Sequence, residues 1–147
     1  TEIHRDWIDS AELASSLGAS ARIICAGKKV GVITNNLAPQ LHVDIEAVMQ
    51  VCDNILSNAS RYARSRVTLS LWTEGDVLAV SVSDDGPGFA PEALAKAANP
   101  FYKGRESAPS HLGLGLNICD ILCRRHDGNL TFANSGAGAR ITARFGM

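Results

Sequence analysis

The chain has 147 residues, with 14 Lys and Arg against 15 Asp and Glu, so it lacks the basic excess expected of a nucleic-acid binder. Its 46% hydrophobic content suits one domain with a sizeable core, read as 1–147 with the core over 8–145. No apolar run approaches the roughly 20 residues of a membrane-spanning helix, and no signal peptide is visible.

A first helix is expected over residues 8–17, stopped by Gly18. Strands follow at 22–26 and 30–34, joined by Gly27 and Lys28. An extended piece at 40–43 leads into a long helix, with Asp44 placed as its N-cap. Ile45, Val48, Cys52, Ile55, Ala59 and Tyr62 recur at helical spacing and define a buried face. Asn54, Asn58 and Arg61 fall at i, i+4 and i+7 and make a second stripe. Asn is a poor helix former, so two of them stacked with a cation need a reason. A stacked amide pair can ligate a hard cation through its oxygens, and Arg61 can meet a phosphate. A solvated polar face is the plainer alternative.

Strands at 66–74 and 77–84 make a hairpin around Gly75 and Asp76. Leu78, Val80 and Val82 share one face, and Asp84 has the same parity. A carboxylate aimed inward at the end of an apolar strand needs a strong donor. The run Asp85-Gly86-Pro87-Gly88-Phe89 then breaks the strand and lets backbone approach a ligand closely. For Asp-Gly alone, an ordinary capped turn would be the preferred reading. The connection 89–112 holds a short helix at 91–98 with Pro91 in its first turn, and long connections are usually functional. Gly113 and Gly115 precede a helix at 114–126, and such a loop at a helix N-terminus attracts anions such as phosphate. It is no dinucleotide fingerprint: no strand immediately precedes it and the third glycine is missing. Gly27-Lys28-Lys29 likewise lacks the spacing of a Walker loop. A closing hairpin spans 129–134 and 139–145 around Gly136-Ala137-Gly138. Helices alternating with hairpins imply an α+β sandwich with helices on one face of a sheet.

Four cysteines without zinc spacing argue for a reducing compartment. Cys25 is expected in an apolar strand and Cys52 on the buried face of the long helix. Cys119 and Cys123, one turn apart, could hold a metal with His126, but small buried thiols are the preferred reading. His4-Arg5-Asp6 reads as surface.

In order and spacing, four elements resemble the catalytic and ATP-binding domain of bacterial sensor histidine kinases. They are the Asn54-x-x-x-Asn58 helix, the Asp84-x-Gly86-x-Gly88 turn, an aromatic loop at Phe101-Tyr102-Lys103 and the Gly113-Leu114-Gly115-Leu116 helix start. That domain belongs to the superfamily shared with gyrase, heat-shock chaperone and mismatch-repair ATPases, and the resemblance runs over about 8–145. It implies a two-layer α/β sandwich, with a mixed, mostly antiparallel sheet, helices on one face and a mobile ATP lid at 89–112. It implies that Asn58 ligates Mg²⁺, with Asn54 beside it near the phosphates. Arg61 would contact phosphate and Tyr62 would border the nucleotide. Asp84 would accept from the adenine amino group, Gly86 and Gly88 would line the base pocket, and Gly113, Leu114, Gly115 and Leu116 would close over the phosphates. Phe101, Tyr102 and Lys103 match the second half of the family's aromatic box, whose first aromatic is replaced by Ala98. Lys103 and Arg105 would reach the γ-phosphate, although Arg105 reads equally well as a solvated loop charge.

The resemblance implies transfer of the γ-phosphoryl group of Mg-ATP to a histidine on a dimerisation domain absent from this chain. Asn54, Arg61 and Lys103 would form the catalytic set, and a response regulator would act downstream. The superfamily's ATPase branch resembles an arrangement with Glu at the position of Asn54. An amide cannot take a proton, so direct hydrolysis should be poor. Asp53 is adjacent but points about 100° around the helix. The alternatives are an anti-sigma-factor-type serine kinase, which usually keeps an acid there, and a regulatory nucleotide-binding module without transfer. The isolated domain is expected to be a cytoplasmic monomer that binds no nucleic acid. The start at Thr1 points to a fragment or processed chain, whose natural form could carry sensor segments and an inner-membrane anchor upstream.

Overall fold

The computed structural model describes residues 2–94, 110–136 and 138–147, with side chains from 116 onwards in the second stretch. A five-stranded sheet has the order β2-β4-β5-β7-β6, formed by β2 (Lys29–Thr34), β4 (Arg66–Glu74), β5 (Val77–Asp84), β7 (Gly138–Gly146) and β6 (Leu130–Ser135). Only β2 and β4 pair in parallel; the other three pairings are antiparallel. A separate antiparallel pair joins β1 (Asp6–Asp9) to β3 (Gln40–Val43). Helices α1 (Ser10–Ile24), α2 (Ile45–Tyr62) and α4 (Ser110–Arg125) pack on one face of the large sheet, while α3 (Pro91–Leu94) is a single turn.

Strand alternation makes the two layers. Val67, Leu69 and Leu71 of β4 lie opposite Asp84, Val82 and Val80 of β5, all buried beneath the helices. Thr68, Ser70 and Trp72 point to the other face, which no helix covers among the described residues. This is the expected mixed, mostly antiparallel sheet with helices on one side. The hairpins at Gly75 and before Gly138 also form as predicted.

The first quarter of the chain differs from expectation. Ile8 lies in β1, and the helix starts only after Asp9, whose carboxylate accepts from Ala11 N at 2.7 Å and Glu12 N at 3.3 Å. Gly18 does not stop the helix. It is buried on the side of α1 that faces Val32 of β2, where even a Cβ would make only ordinary contact at 3.5 Å, and the helix runs on through it. Residues 22–26 are therefore the last turn and cap of α1, not a strand. Cys25 is the C-cap, donating through its N–H to Ala21 O at 2.8 Å. β2 consequently pairs in parallel with β4, a partner reached through β3 and α2.

Other differences are smaller. Ile45, placed on the buried face of α2, is 37% exposed. α4 begins at Ser110, so Gly113 and Gly115 lie inside its first turns and not ahead of it. Of the helix expected at 91–98, Pro91–Leu94 is helical and the rest lies outside the described residues.

Candidate functional site

The C-terminal end of α2 meets the turn after β5. Asp44 caps the helix at its start, accepting from Ala47 N at 3.1 Å. Val48, Val51, Cys52, Ile55, Leu56 and Ala59 hold it in the core. α4 lies along one flank, where the Cys119 thiol donates to Val51 O at 3.7 Å. Seven residues on from Val51, and on the same flank, stands Asn58. Its amide is 2% exposed, and Nδ2 has no hydrogen-bond partner among the described residues. Asn54, one turn earlier, is half-buried and donates through Nδ2 to Gln50 O at 2.9 Å. Arg61 is exposed, and Tyr62 is half-buried at the last position of the helix.

Across from this helix end, Asp84 is buried and its Oδ1 accepts from Gly86 N at 2.8 Å. Gly86 is so close to α2 that a Cβ would collide with the carbonyl oxygen of Tyr62 and come within 2.9 Å of Asp84 Oδ1. Tyr62, Asp84 and Gly86 therefore form one contact group, with Asn58 a helical turn back from Tyr62. Gly88 has φ +77°, a conformation that favours glycine, and a Cβ there would come within 2.9 Å of Asn134 Oδ1.

The remaining sequence-predicted residues do not all join this group. Gly113, Leu114 and Gly115 are helical backbone in α4, and Leu116 is buried in the core. Ala98, Phe101, Tyr102, Lys103 and Arg105 lie outside the described residues. His126 is buried with both ring nitrogens engaged: Nδ1 meets Gly146 O at 2.9 Å and Nε2 accepts from Asp44 N at 3.0 Å. That fixes a neutral tautomer with the proton on Nδ1, and burial holds its pKa below the usual histidine value. No group of three His, Cys, Asp or Glu side chains is arranged for a metal among the described residues. Burial pushes the thiols of Cys119 and Cys123 up to about 12, as expected of inert core cysteines.

Four residues of this region escaped the sequence reading. Asp85 accepts from Arg64 N at 2.8 Å, Ser65 N at 3.0 Å, Ser65 Oγ at 2.7 Å and Arg66 N at 3.2 Å. The Ser65 hydroxyl and then the backbone N–H groups hold its carboxyl well below the usual carboxylate range. Lys28 Nζ donates to Ala63 O at 2.6 Å, a cation at the negative end of α2. Asn134 grips the backbone of Phe89 from both sides, accepting from its N at 2.7 Å and donating to its O at 2.8 Å. Gly138, which read as a hairpin residue, leaves no room for a Cβ beside Asp84 O and Gly86. Only the glycine carried any signal in the sequence. The partners of the other three lie 20 or more residues away, apart from Arg66 at 19.

Residues 43–147 match the family model described as histidine kinase-, DNA gyrase B-, and HSP90-like ATPase. Sensor protein RstB of Escherichia coli strain K12 is 31% identical over 98% of this chain, which spans 33% of RstB. Sensor histidine kinase CpxA of the same strain is 30% identical over 72% of the chain, which spans 24% of CpxA. The chain thus has a third or less of the length of these relatives. Among solved structures, the mycobacterial sensor histidine kinase MprB has a TM-score of 0.77 at 22% identity, covering 96% of this chain and 97% of that one. Full-length ShkA in complex with AMPPNP has a TM-score of 0.79 at 23% identity, covering 99% of this chain and 31% of that one.

Proposed function

The chain belongs to the histidine kinase-, DNA gyrase B-, and HSP90-like ATPase family, and from that membership we propose that it is the catalytic, ATP-binding domain of a two-component sensor histidine kinase. It binds ATP with Mg²⁺ and passes the γ-phosphoryl group to a histidine on a dimerisation domain outside these 147 residues. A response regulator acts downstream. The whole chain forms one catalytic domain whose lid is 89–112. Among the described residues no helix is long and apolar enough to cross a membrane. We place the domain on the cytoplasmic side of a larger sensor protein, as the kinship with RstB and CpxA suggests.

Asn58 is the observation that carries this reading. A buried amide whose Nδ2 has no partner among the described residues is costly in a protein that has no ligand for it. Half a turn about its last torsion brings the amide oxygen to the same place, and that oxygen is the hard donor magnesium takes. When bound, Mg²⁺ neutralises charge on the phosphate oxygens. The other roles follow from position. Asp84 accepts from the adenine amine, and Gly86 and Gly88 let the base approach the backbone. Tyr62 borders the nucleotide, and exposed Arg61 offsets phosphate charge. By the resemblance alone, and not by position, Lys103, Phe101, Tyr102 and the Gly113-Leu114-Gly115-Leu116 segment would complete the phosphate side. Asn54 stands beside the phosphates but cannot act as a base, which favours transfer to an external acceptor over hydrolysis. The AMPPNP complex of ShkA supports ATP as the nucleotide.

The test is to mix the chain with labelled Mg-ATP and the dimerisation domain of its own full-length protein. Label should appear on a histidine of that domain, in a bond that is acid-labile and base-stable. An acid-stable product would move the chain to the serine-kinase branch. Tight ATP binding with no transfer to any partner would leave it as a nucleotide-binding module.

A further inference from the structure

We infer that Asp85 is a positioning residue that sets the register between the metal half and the base half of the nucleotide site. The inference rests on the ATP-binding reading above. α2 ends at Tyr62 and β4 begins at Arg66, so three residues must reverse the chain. The N–H groups of Arg64, Ser65 and Arg66 converge on one carboxylate, that of Asp85, and the Ser65 hydroxyl joins them. Successive N–H groups of this kind make an anion-binding concavity, here filled by a side chain of the protein itself.

The placement of that side chain gives it a role beyond closing a turn. Its own backbone lies between Asp84 and Gly86, the acceptor for the base and the glycine that the helix end touches. The turn it grips is the direct continuation of the helix that carries Asn58, Arg61 and Tyr62. One side chain therefore ties the two halves of the site together across a gap of 19 to 21 residues in sequence. The contact it governs is the tight one between Tyr62 O and Gly86, where there is no room for a Cβ. Lys28 Nζ on Ala63 O and Lys29 N on Ser65 O, at 2.7 Å, brace the same turn from the start of β2 and the residue before it, but neither bonds to Asp84 or Gly86.

A ligand that spans both halves gains from their fixed spacing, because the second contact is made within an already bound molecule. A ligand that touches one half gains nothing. The prediction is therefore selective. In Asp85→Ala, ATP affinity with Mg²⁺ should fall about tenfold. The affinities for adenosine alone and for Mg-tripolyphosphate alone should each stay within about twofold of the parent. Asp85→Asn keeps an acceptor for the backbone N–H groups and should recover ATP affinity to within about threefold. Ser65→Ala removes only the hydroxyl bond and should weaken ATP a few fold, again without moving either fragment.

All four chains should be titrated by chemical-shift changes at a temperature where circular dichroism shows each to be folded. If Asp85→Ala does not fold, Ser65→Ala and Asp85→Asn carry the same comparison. A loss of ATP affinity matched by equal losses for adenosine and for Mg-tripolyphosphate overturns the inference, because Asp85 would then be a general fold stabiliser. Unchanged ATP affinity in Asp85→Ala or Ser65→Ala also overturns it, while leaving the ATP reading intact. A parent chain that binds no adenine nucleotide overturns the ATP reading, and this inference falls with it.

Discussion

At the scale of single residues, two members of the proposed site combine polarity with burial. Asn58 and Asp84 are the buried polar side chains of the contact group, and each has a consequence that can be measured. Asn58→Ala should weaken Mg²⁺-dependent ATP binding by calorimetry and affect metal-free ADP binding less; unchanged Mg-ATP affinity would reduce Asn58 to a packed helix residue. Asp84→Asn should lower ATP affinity by roughly ten- to a hundredfold with the dichroism spectrum unchanged, the cost of a lost charged hydrogen bond. The parent should strongly prefer ATP to GTP, and equal affinities would remove Asp84 from the base pocket. Gly86→Ala tests the geometry without any ligand. Its methyl would meet the Tyr62 carbonyl, so the helix end must shift, at a cost of about 1–3 kcal/mol in urea unfolding. These positions were legible in the sequence because each carries a local contradiction: an amide pair in a helix, a carboxylate of inward parity, glycines after a strand. Asp85, Lys28 and Asn134 carry none. A lone Asp in a turn or a Lys after a glycine is ordinary, and what makes these three matter is a partner brought close only by the fold.

At the scale of elements, the sequence reading held where periodicity was strong and failed where composition was bland. β4, β5 and α2 have clear periods of 2 and 3.6, and the structure places them within a residue or so of expectation. α1 is rich in Ala and Ser with a glycine in the middle, so local preference breaks it at Gly18, whereas packing against β2 carries it on to Ile24. His126 shows the same limit between elements. In the sequence it stood out only as a possible metal partner of Cys119 and Cys123, yet it joins the C-terminal end of α4 to the N-cap of α2 and to Gly146 of β7. Its folded pKa lies below the unfolded value because burial disfavours the charged ring. The unfolded chain therefore binds a proton first as pH falls. The stability this histidine contributes is complete above the unfolded value, about 6.5, and is lost as pH falls from there through the lower folded value. Urea unfolding should show a loss of up to about 1.4 kcal/mol per pH unit in that window from this group. His126→Gln should be less stable at pH 7 and flatter between pH 7 and 5. A variant with the same pH slope as the parent would clear His126 of that role.

At the scale of the whole molecule, the deciding fact is what the chain holds together and what it lacks a counterpart for. The site assembles from α2, the turn after β5, and the backbone of β7 at Gly138, all braced on one sheet. Among the described residues, none beside Asn58 on the helix offers a base to activate water. Asn54 is an amide. Asp53 lies about 100° away around the helix, with burial raising its pKa and Oδ1 unpaired among the described residues. Alone with labelled ATP and Mg²⁺, the chain should therefore neither label itself nor release phosphate quickly. Asn54→Glu would supply the missing acid at the position the ATPase branch uses. If position is all that hydrolysis lacks, that variant should release phosphate measurably faster than the parent, within the range of about 10²- to 10⁴-fold typical of general acid–base catalysis. Transfer to a separately supplied dimerisation domain should be slow as well. Two free proteins meet at their bulk concentration, whereas a short linker holds them at an effective concentration near the millimolar range. Joining the two domains through their natural connection should therefore raise the transfer rate at micromolar protein by orders of magnitude, with little change in ATP affinity. Arg61→Ala should slow transfer in the joined protein more than it weakens ADP binding, as its proposed role on the γ-phosphate requires. Rapid phosphate release by the unpartnered parent chain would contradict this account at its root, since it would require a base that the described residues do not place at the site.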